Sequence, residues 1–399
     1  MPAHIPASPP AFSLGAVLAL ALTLALGAAG CNRRGAASVN GELQQAVRDG
    51  GGLLFSSRSW DGQRSRYHAV ATDAEGRVRW KLSDRRAVLL FDSPAAPVLA
   101  IADAPDAARI ELHERWDGRL RESFVVPIAR KSWDTWIWNG KELYVFQSEV
   151  SPGATVMHRI DIDKHAVVWS ATTELYVMPY ASISESGPAY APDVMWLYCE
   201  DPRGSHDRYA CRFSTPTGAL LGKSLAPVEA MAQESPGADL VFLAHGKSVE
   251  AVSAATGATV WQAPLPEGVG LRTVVAGPGY VAALALGSRA EQRPDLLLAY
   301  QAQDGAALWK KEALPHGEHF WPALAAAGDR IAYISNISPN WRVLDARGQQ
   351  LQGGELRTDF VVTTEAAGGF VRDLKGRPIL LPGMLLLQRD SALHRISVP

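Results

Sequence analysis

Two cysteines and two histidines are the residues whose types and spacing first suggest chemistry. Cys199 and Cys211 stand in Trp196-Leu-Tyr-Cys-Glu-Asp-Pro-Arg-Gly-Ser-His-Asp-Arg-Tyr-Ala-Cys-Arg-Phe213. The apolar flanks read as two strands and Asp201 to Asp207 as their turn, so the sulfurs fall nearly opposite each other across a hairpin. An oxidising compartment favours a disulfide there; two free thiols are the alternative. No Cys-x-x-Cys or second Cys/His pair stands at ligand spacing, which argues against a metal. His316-Gly-Glu-His319 is the most metal-like string, with two imidazoles and a carboxylate. Pro315 and Gly317 keep it off a helix, and two ligands do not make a site, so it reads as a polar loop. No Gly-x-Ser-x-Gly elbow and no Gly-rich phosphate loop ahead of a helix is present. The densest aromatic cluster, Trp133-Asp-Thr-Trp136-Ile-Trp138, alternates Trp136 and Trp138 onto one strand face and Ile137 onto the other. It reads as core packing, with one side able to reach a channel or a face.

The elements that must position these residues repeat. Seven phrases pair a Gly, or a substitute, with a Trp, or a substitute, four residues on: Gly76/Trp80, Gly118/Glu122, His165/Trp169, Gly218/Gly222, Gly257/Trp261, Gly305/Trp309 and Gly348/Gln352. Successive phrases begin 39 to 53 residues apart, the period of a four-stranded propeller blade. Before each Gly an apolar strand ends in Asp, Ser, Thr or Ala, and after it the next strand starts at once, so the Gly supplies the positive φ of a tight hairpin. Upstream lie another apolar strand, such as Leu143–Phe146 or Asp239–Leu243, and a weaker innermost one. Trp80, Trp169, Trp261 and Trp309 fall on the outermost strand, where a flat side chain wedges between neighbouring units. Burying about 200 Å² of each ring supplies several kcal/mol per contact.

This predicts an all-β chain, an eight-bladed β-propeller of four-stranded blades over 41–399, with seven blades as the alternative. Eight is favoured because the chain ends in what reads as the middle strands of a further unit, while Asn40-Gly-Glu-Leu-Gln-Gln45 reads as a lone outer strand. Pairing that N-terminal strand with the last blade would close the ring and cover both edges.

Lys plus Arg number 39 and Asp plus Glu 41, for a formal charge of −2; no global field attracts nucleic acid. The first thirty residues hold no Lys, Arg, Asp or Glu, and Ala11 to Leu26 is an apolar stretch of signal-peptide length. Residues 1–30 therefore read as an export signal. Gly27-Ala-Ala-Gly30 then leads into Cys31, which resembles the lipobox of bacterial lipoproteins. That resemblance implies a diacylated Cys31 at the mature N-terminus and a polar tether over 31–40. Ala28 stands where that motif usually carries Leu, Val or Ile, and no Lys or Arg precedes the apolar core.

The phrase Asp-Ala-x-x-Gly-x-x-x-Trp resembles the pyrroloquinoline-quinone-type propeller repeat, best at Thr256-Gly-Ala-Thr-Val-Trp261 and Asp304-Gly-Ala-Ala-Leu-Trp309. Quinone dehydrogenases of that repeat class carry adjacent cysteines over the cofactor and a calcium held by acidic and amide side chains. No two Cys are adjacent here, so the expectation is no enzyme, no cofactor and no metal. In length, leader and blade number the chain resembles the BamB-type lipoproteins of the outer-membrane assembly machinery. That implies a non-catalytic, lipid-anchored scaffold facing the periplasm, outer membrane favoured, monomeric within a larger complex and bound to other envelope proteins. The alternative is a quinone-dependent dehydrogenase or small-ligand sensor using the central channel; a secreted carbohydrate binder is a third reading.

Loops joining the second and third strands of a blade emerge on the same face as those joining successive blades, and here they are long and charged. Arg58, Trp60 and Arg64, then Asp201, Arg203 and His206, then Arg289, Glu291 and Arg293, and finally Trp341 are the candidate partner-binding residues, since Trp and Arg dominate contact energies on rigid frames.

Overall fold

The computed structural model describes residues 42–398 apart from 92, 94, 132, 140, 149–153, 179–187, 202–206, 236, 289–292, 314–322, 335–339, 356–378 and 390–391. The leader, Cys31, the tether and His316-Gly-Glu-His319 lie outside the described residues.

Runs such as Leu240–His245 and Val194–Glu200 are apolar without alternation, and they form second strands buried on both faces. The last strand of a unit alternates instead: Ala166–Thr173 shows one partly covered residue after each exposed one. Consecutive strands pair antiparallel into eight sheets covering 42–85, 87–126, 133–173, 176–223, 230–264, 269–312, 323–355 and 379–397, here called blades one to eight. Among the described residues six blades hold four strands in chain order, blade four holds five and blade eight holds three. In blade four the inner strand is split into Tyr176–Met178 and Ala189–Ala191, both paired to Val194–Glu200.

The ring is closed by its cores. Among the described residues eight buried apolar clusters are present, and each is shared by two neighbouring blades, including one that joins Leu43, Leu53 and Phe55 of blade one to Leu381 and Leu386 of blade eight. That last cluster replaces the closure expected from the sequence. The N-terminal strand Glu42–Asp49 does not complete blade eight. Gly50 and Gly51, both at positive φ, fold it straight back onto Gly52–Trp60, so its hydrogen bonds are used within blade one. The seam is a face-to-face contact, strengthened by Arg395 of blade eight, whose Nη1 donates to the Ala74 carbonyl of blade one at 3.4 Å.

The tryptophans make the joints between blades. Trp80, Trp169, Trp261 and Trp309 donate their indole N–H to the carbonyls of Arg115, Thr215, Ala302 and Ala346 at 2.7, 2.9, 2.8 and 2.8 Å, each in the turn of the following blade. The Gly of that turn lies flat on the ring: a Cβ at Gly118, Gly218, Gly305 or Gly348 would come within 2.6–2.8 Å of it. A β-bulge three residues after the Gly, seen in all seven fourth strands, adds the extra residue that turns the fourth position toward the next blade.

Where the phrase has eroded, other side chains fill the joint. Gly222 leaves a gap that Arg212 enters from the third strand, stacking 5.7 Å from Trp196 and donating to the Ala255 carbonyl at 3.3 Å, over Gly257. Arg395 over Gly76 repeats this at the seam. Between blades two and three, Glu122 and His165 stand in for Trp and Gly. The His165 Nε2 lies 2.5 Å from the Glu122 carboxylate and its ring stacks on Phe124 at 4.4 Å.

Cys199 and Cys211 are joined in a disulfide with their Cα atoms 5.9 Å apart, on a diagonal: Cys199 faces Tyr209 and Cys211 faces Leu197. Both are buried between blades three and four. The closed loop is short, so the chain-entropy contribution is about 3 kcal/mol. Replacing both by Ala is expected to lower the denaturant midpoint accordingly, and a loss of unfolding free energy under about 0.5 kcal/mol in that titration would refute the assignment.

Burial lowers the imidazole pKa of both His68 and His158. A depressed native value means that stability is complete above the ordinary value of about 6.5 and declines as pH falls below it, because the unfolded chain takes up those protons first. Melting temperature is expected to drop between pH 7 and pH 5, and the combined His68→Gln and His158→Gln variant to show a shallower slope. An unchanged slope would remove these two residues from the account.

Candidate partner-binding face and channel mouth

Within a blade the chain runs up and down, so two faces differ. One carries the Gly turns and the inner hairpin turns. The other, the connector face, carries the links between blades and the loops between second and third strands. Arg58, Trp60 and Arg64 of blade one lie there, with Trp60 66 % exposed. Asp201 is exposed at the start of its loop. Arg293 is also exposed and donates to the Glu267 carbonyl of the link from blade five. Arg203, His206, Arg289 and Glu291 lie outside the described residues. Trp341 is a correction: it sits in the strand Asn340–Asp345 opposite Ile334, 7 % exposed, in the core between blades seven and eight. The sequence placed it at a loop end, but the strand begins one residue earlier, and alternation turns its ring inward.

A cavity of about 740 Å³ opens at this face, on the channel side of blades one to four. Its wall is made by the first residues of the inner strands, such as Leu43, Val88, Thr135 and Val177, together with the adjoining loops. Among the described residues five cationic side chains line it, Arg58, Arg64, Arg86, Arg130 and Lys131, against one carboxylate, Asp134. Arg86, Arg130 and Lys131 come from the links that lead into the inner strands of blades two and three, while Arg58 lies near the end of the second strand of blade one and Arg64 in the loop after it.

Arg86 anchors the group. Its side chain is fully buried, its Nε is bonded to the Asp134 carboxylate, and its guanidinium lies 5.2 Å from the Trp136 ring centre. Trp136 in turn donates to Asp134 at 3.0 Å. Its ring belongs to the core between blades two and three, while Ile137 points into the core between blades three and four, so this aromatic cluster packs on both faces. Arg58 pairs with Glu42 at 2.7 Å beside Tyr67, whose hydroxyl burial pushes to a higher pKa. At the rim Asp61 accepts from the backbone N–H of Gln63 and Arg64, both at 2.9 Å, and from Arg66 at 2.8 Å, which holds its carboxyl down to about 2. Sequence reasoning found Arg58, Trp60 and Arg64 but missed Arg86, Arg130 and Lys131. Their one local signal is a pair of adjacent cations at each of two blade junctions, Arg85-Arg86 and Arg130-Lys131.

Among the described residues no group of three or more His, Cys, Asp or Glu is placed to hold a metal ion, and no helix is long and apolar enough to cross a membrane.

The fold and this face define an eight-bladed β-propeller with one elaborated surface and a cationic channel mouth. Among solved structures it is similar to BamB from Moraxella catarrhalis, with a TM-score of 0.53 and 13 % identity over 88 % of this chain and 95 % of that one. It is also similar to the computationally designed Ika8 protein, with a TM-score of 0.58 and 11 % identity over 90 % of this chain and 98 % of that one. No protein-family model and no curated protein sequence matches the chain. At such identities the likeness carries the fold.

Proposed function

We propose that this protein is a non-catalytic propeller scaffold, anchored by a lipid on Cys31 and facing the periplasm, whose connector face binds other envelope proteins, with a part in outer-membrane protein assembly. The observation that carries the reading is the asymmetry of the two faces. One holds tight turns, while the other gathers the long charged loops, an exposed Trp60 and a cationic recess on a frame locked by blade-to-blade joints. The leader and Cys31 support a route to the envelope, and the propeller fold shared with BamB from Moraxella catarrhalis fits the reading.

Two measurements test it. Photocrosslinkers at Trp60 and Asp201 in living cells are expected to capture an envelope protein, whereas probes at Gly-turn positions such as Glu75 capture none. Labelled fatty acid is expected on the full chain and not on Cys31→Ser. Equal capture from both faces would overturn the scaffold reading, and label retained by Cys31→Ser would overturn the anchor.

A further inference from the structure

We infer that the cationic channel mouth at blades one to four receives an acidic, partly apolar peptide segment of the partner protein. The inference rests on the scaffold reading and says what chemistry that partner presents.

Charge is the first argument. Asp103 is shared by Arg64 at 3.2 Å and Arg130 at 2.8 Å, and Asp61 is shared by Arg64 at 3.8 Å and Arg66 at 2.8 Å. The two acids at the rim, Asp61 and Asp103, are thus outnumbered by the three guanidiniums they serve, each of which carries five N–H donors. A low-dielectric recess focuses this excess, so a carboxylate arriving at the mouth meets a stronger field than one on an open surface.

Arg86 is the second, independent argument. It is buried and lines the cavity; its Nε is taken by Asp134 and its Nη2 reaches the Ala129 carbonyl at 3.4 Å. Its Nη1 is buried with no hydrogen-bond partner among the described residues. A buried donor left unpaired costs free energy that an incoming acceptor recovers. Among the described residues no other lining group offers such a donor at full burial.

Shape and lining select a peptide over a bare inorganic anion. A volume of about 740 Å³ is far larger than one phosphate needs, and Trp60, Val88, Leu89, Val177 and Met178 supply apolar surface beside the cations. An extended segment carrying Asp or Glu next to an apolar or aromatic side chain satisfies both, with the exposed Trp60 ring closing over it.

The test uses the full chain in detergent and two labelled peptides, one of Glu and Asp around a single Phe, the other its Gln and Asn counterpart. Anisotropy is expected to show the acidic peptide binding at least about tenfold more tightly, with the difference shrinking as salt rises. Arg130→Gln combined with Lys131→Gln, both at the rim, is expected to remove about tenfold of that affinity, while Arg77→Gln on the Gly-turn face leaves it unchanged. Equal binding of the two peptides, or indifference to the rim variant, overturns the inference. Binding of free citrate or phosphate at the mouth with no peptide binding also overturns it. Repeating the in-cell crosslinking with the rim variant separates the two readings: capture that persists undiminished leaves the scaffold standing and sinks the acidic segment, whereas no capture from either form sinks the scaffold.

Discussion

Trp261→Ala is expected to cost about 3–5 kcal/mol, the usual range for a large aromatic removed from a core. The ring is 9 % exposed, lies 6.0 and 6.4 Å from the rings of Phe242 and Tyr300, and donates to the Ala302 carbonyl across the junction of blades five and six. Truncation therefore removes packing on two blades and leaves a buried carbonyl without its donor. A loss of that size is a large fraction of the 5–15 kcal/mol that holds a typical domain together. Gly305 provides the internal check. Its φ is +73°, and an added Cβ would sit 2.7 Å from the Trp261 ring, so Gly305→Ala pays both backbone strain and a clash. In the Trp261→Ala background the clash is gone and only the backbone part, about 1–2 kcal/mol, remains. Guanidinium titrations of the two single variants and the double variant measure the coupling. Strict additivity would show that ring and glycine do not act as one joint.

Asp134→Asn is expected to be comparably damaging, at about 3–5 kcal/mol, for an electrostatic reason. Its partner Arg86 has no exposed side-chain surface, and the carboxylate itself is only 9 % exposed. Losing the carboxylate leaves a guanidinium in low dielectric, facing a cavity already rich in positive charge. Replacing the pair together, Arg86→Met with Asp134→Leu, is expected to recover most of the loss, because two desolvated charges are exchanged for apolar contact with Trp136. If the single variant costs under 1 kcal/mol, water reaches the pair and the mouth is less enclosed than its geometry states.

The parts of this molecule that were legible in its sequence are local ones. Gly-x-x-x-Trp spells a hairpin turn and the joint it makes, because a positive φ and a large flat ring have few other uses at that spacing, and the recurrence carries the fold class. The bulge at the third position was not legible: a register shift exists only once a strand has a neighbour. Arg212 and Arg395 entering the places of missing tryptophans were likewise hidden, since each reaches its glycine from a different strand. The lone strand at 42–49 read as a closing strand because periodicity cannot tell which neighbour takes its hydrogen bonds; Gly50 and Gly51 settle that locally. The channel mouth was the least readable of all. Arg58, Arg86 and Arg130 belong to three blades, and only the curvature of the ring brings them to one recess.

The seam between blades eight and one works as a clasp rather than a weld. Among the described residues no sheet crosses it, as none crosses any other joint, but it alone joins the last strands to the first with no connector between them, so parting it breaks side-chain contacts and leaves every backbone ladder whole. Heat, force or a pulling partner would spring the circle open at this point first, and each blade could swing free with its own strands intact before any of them melts.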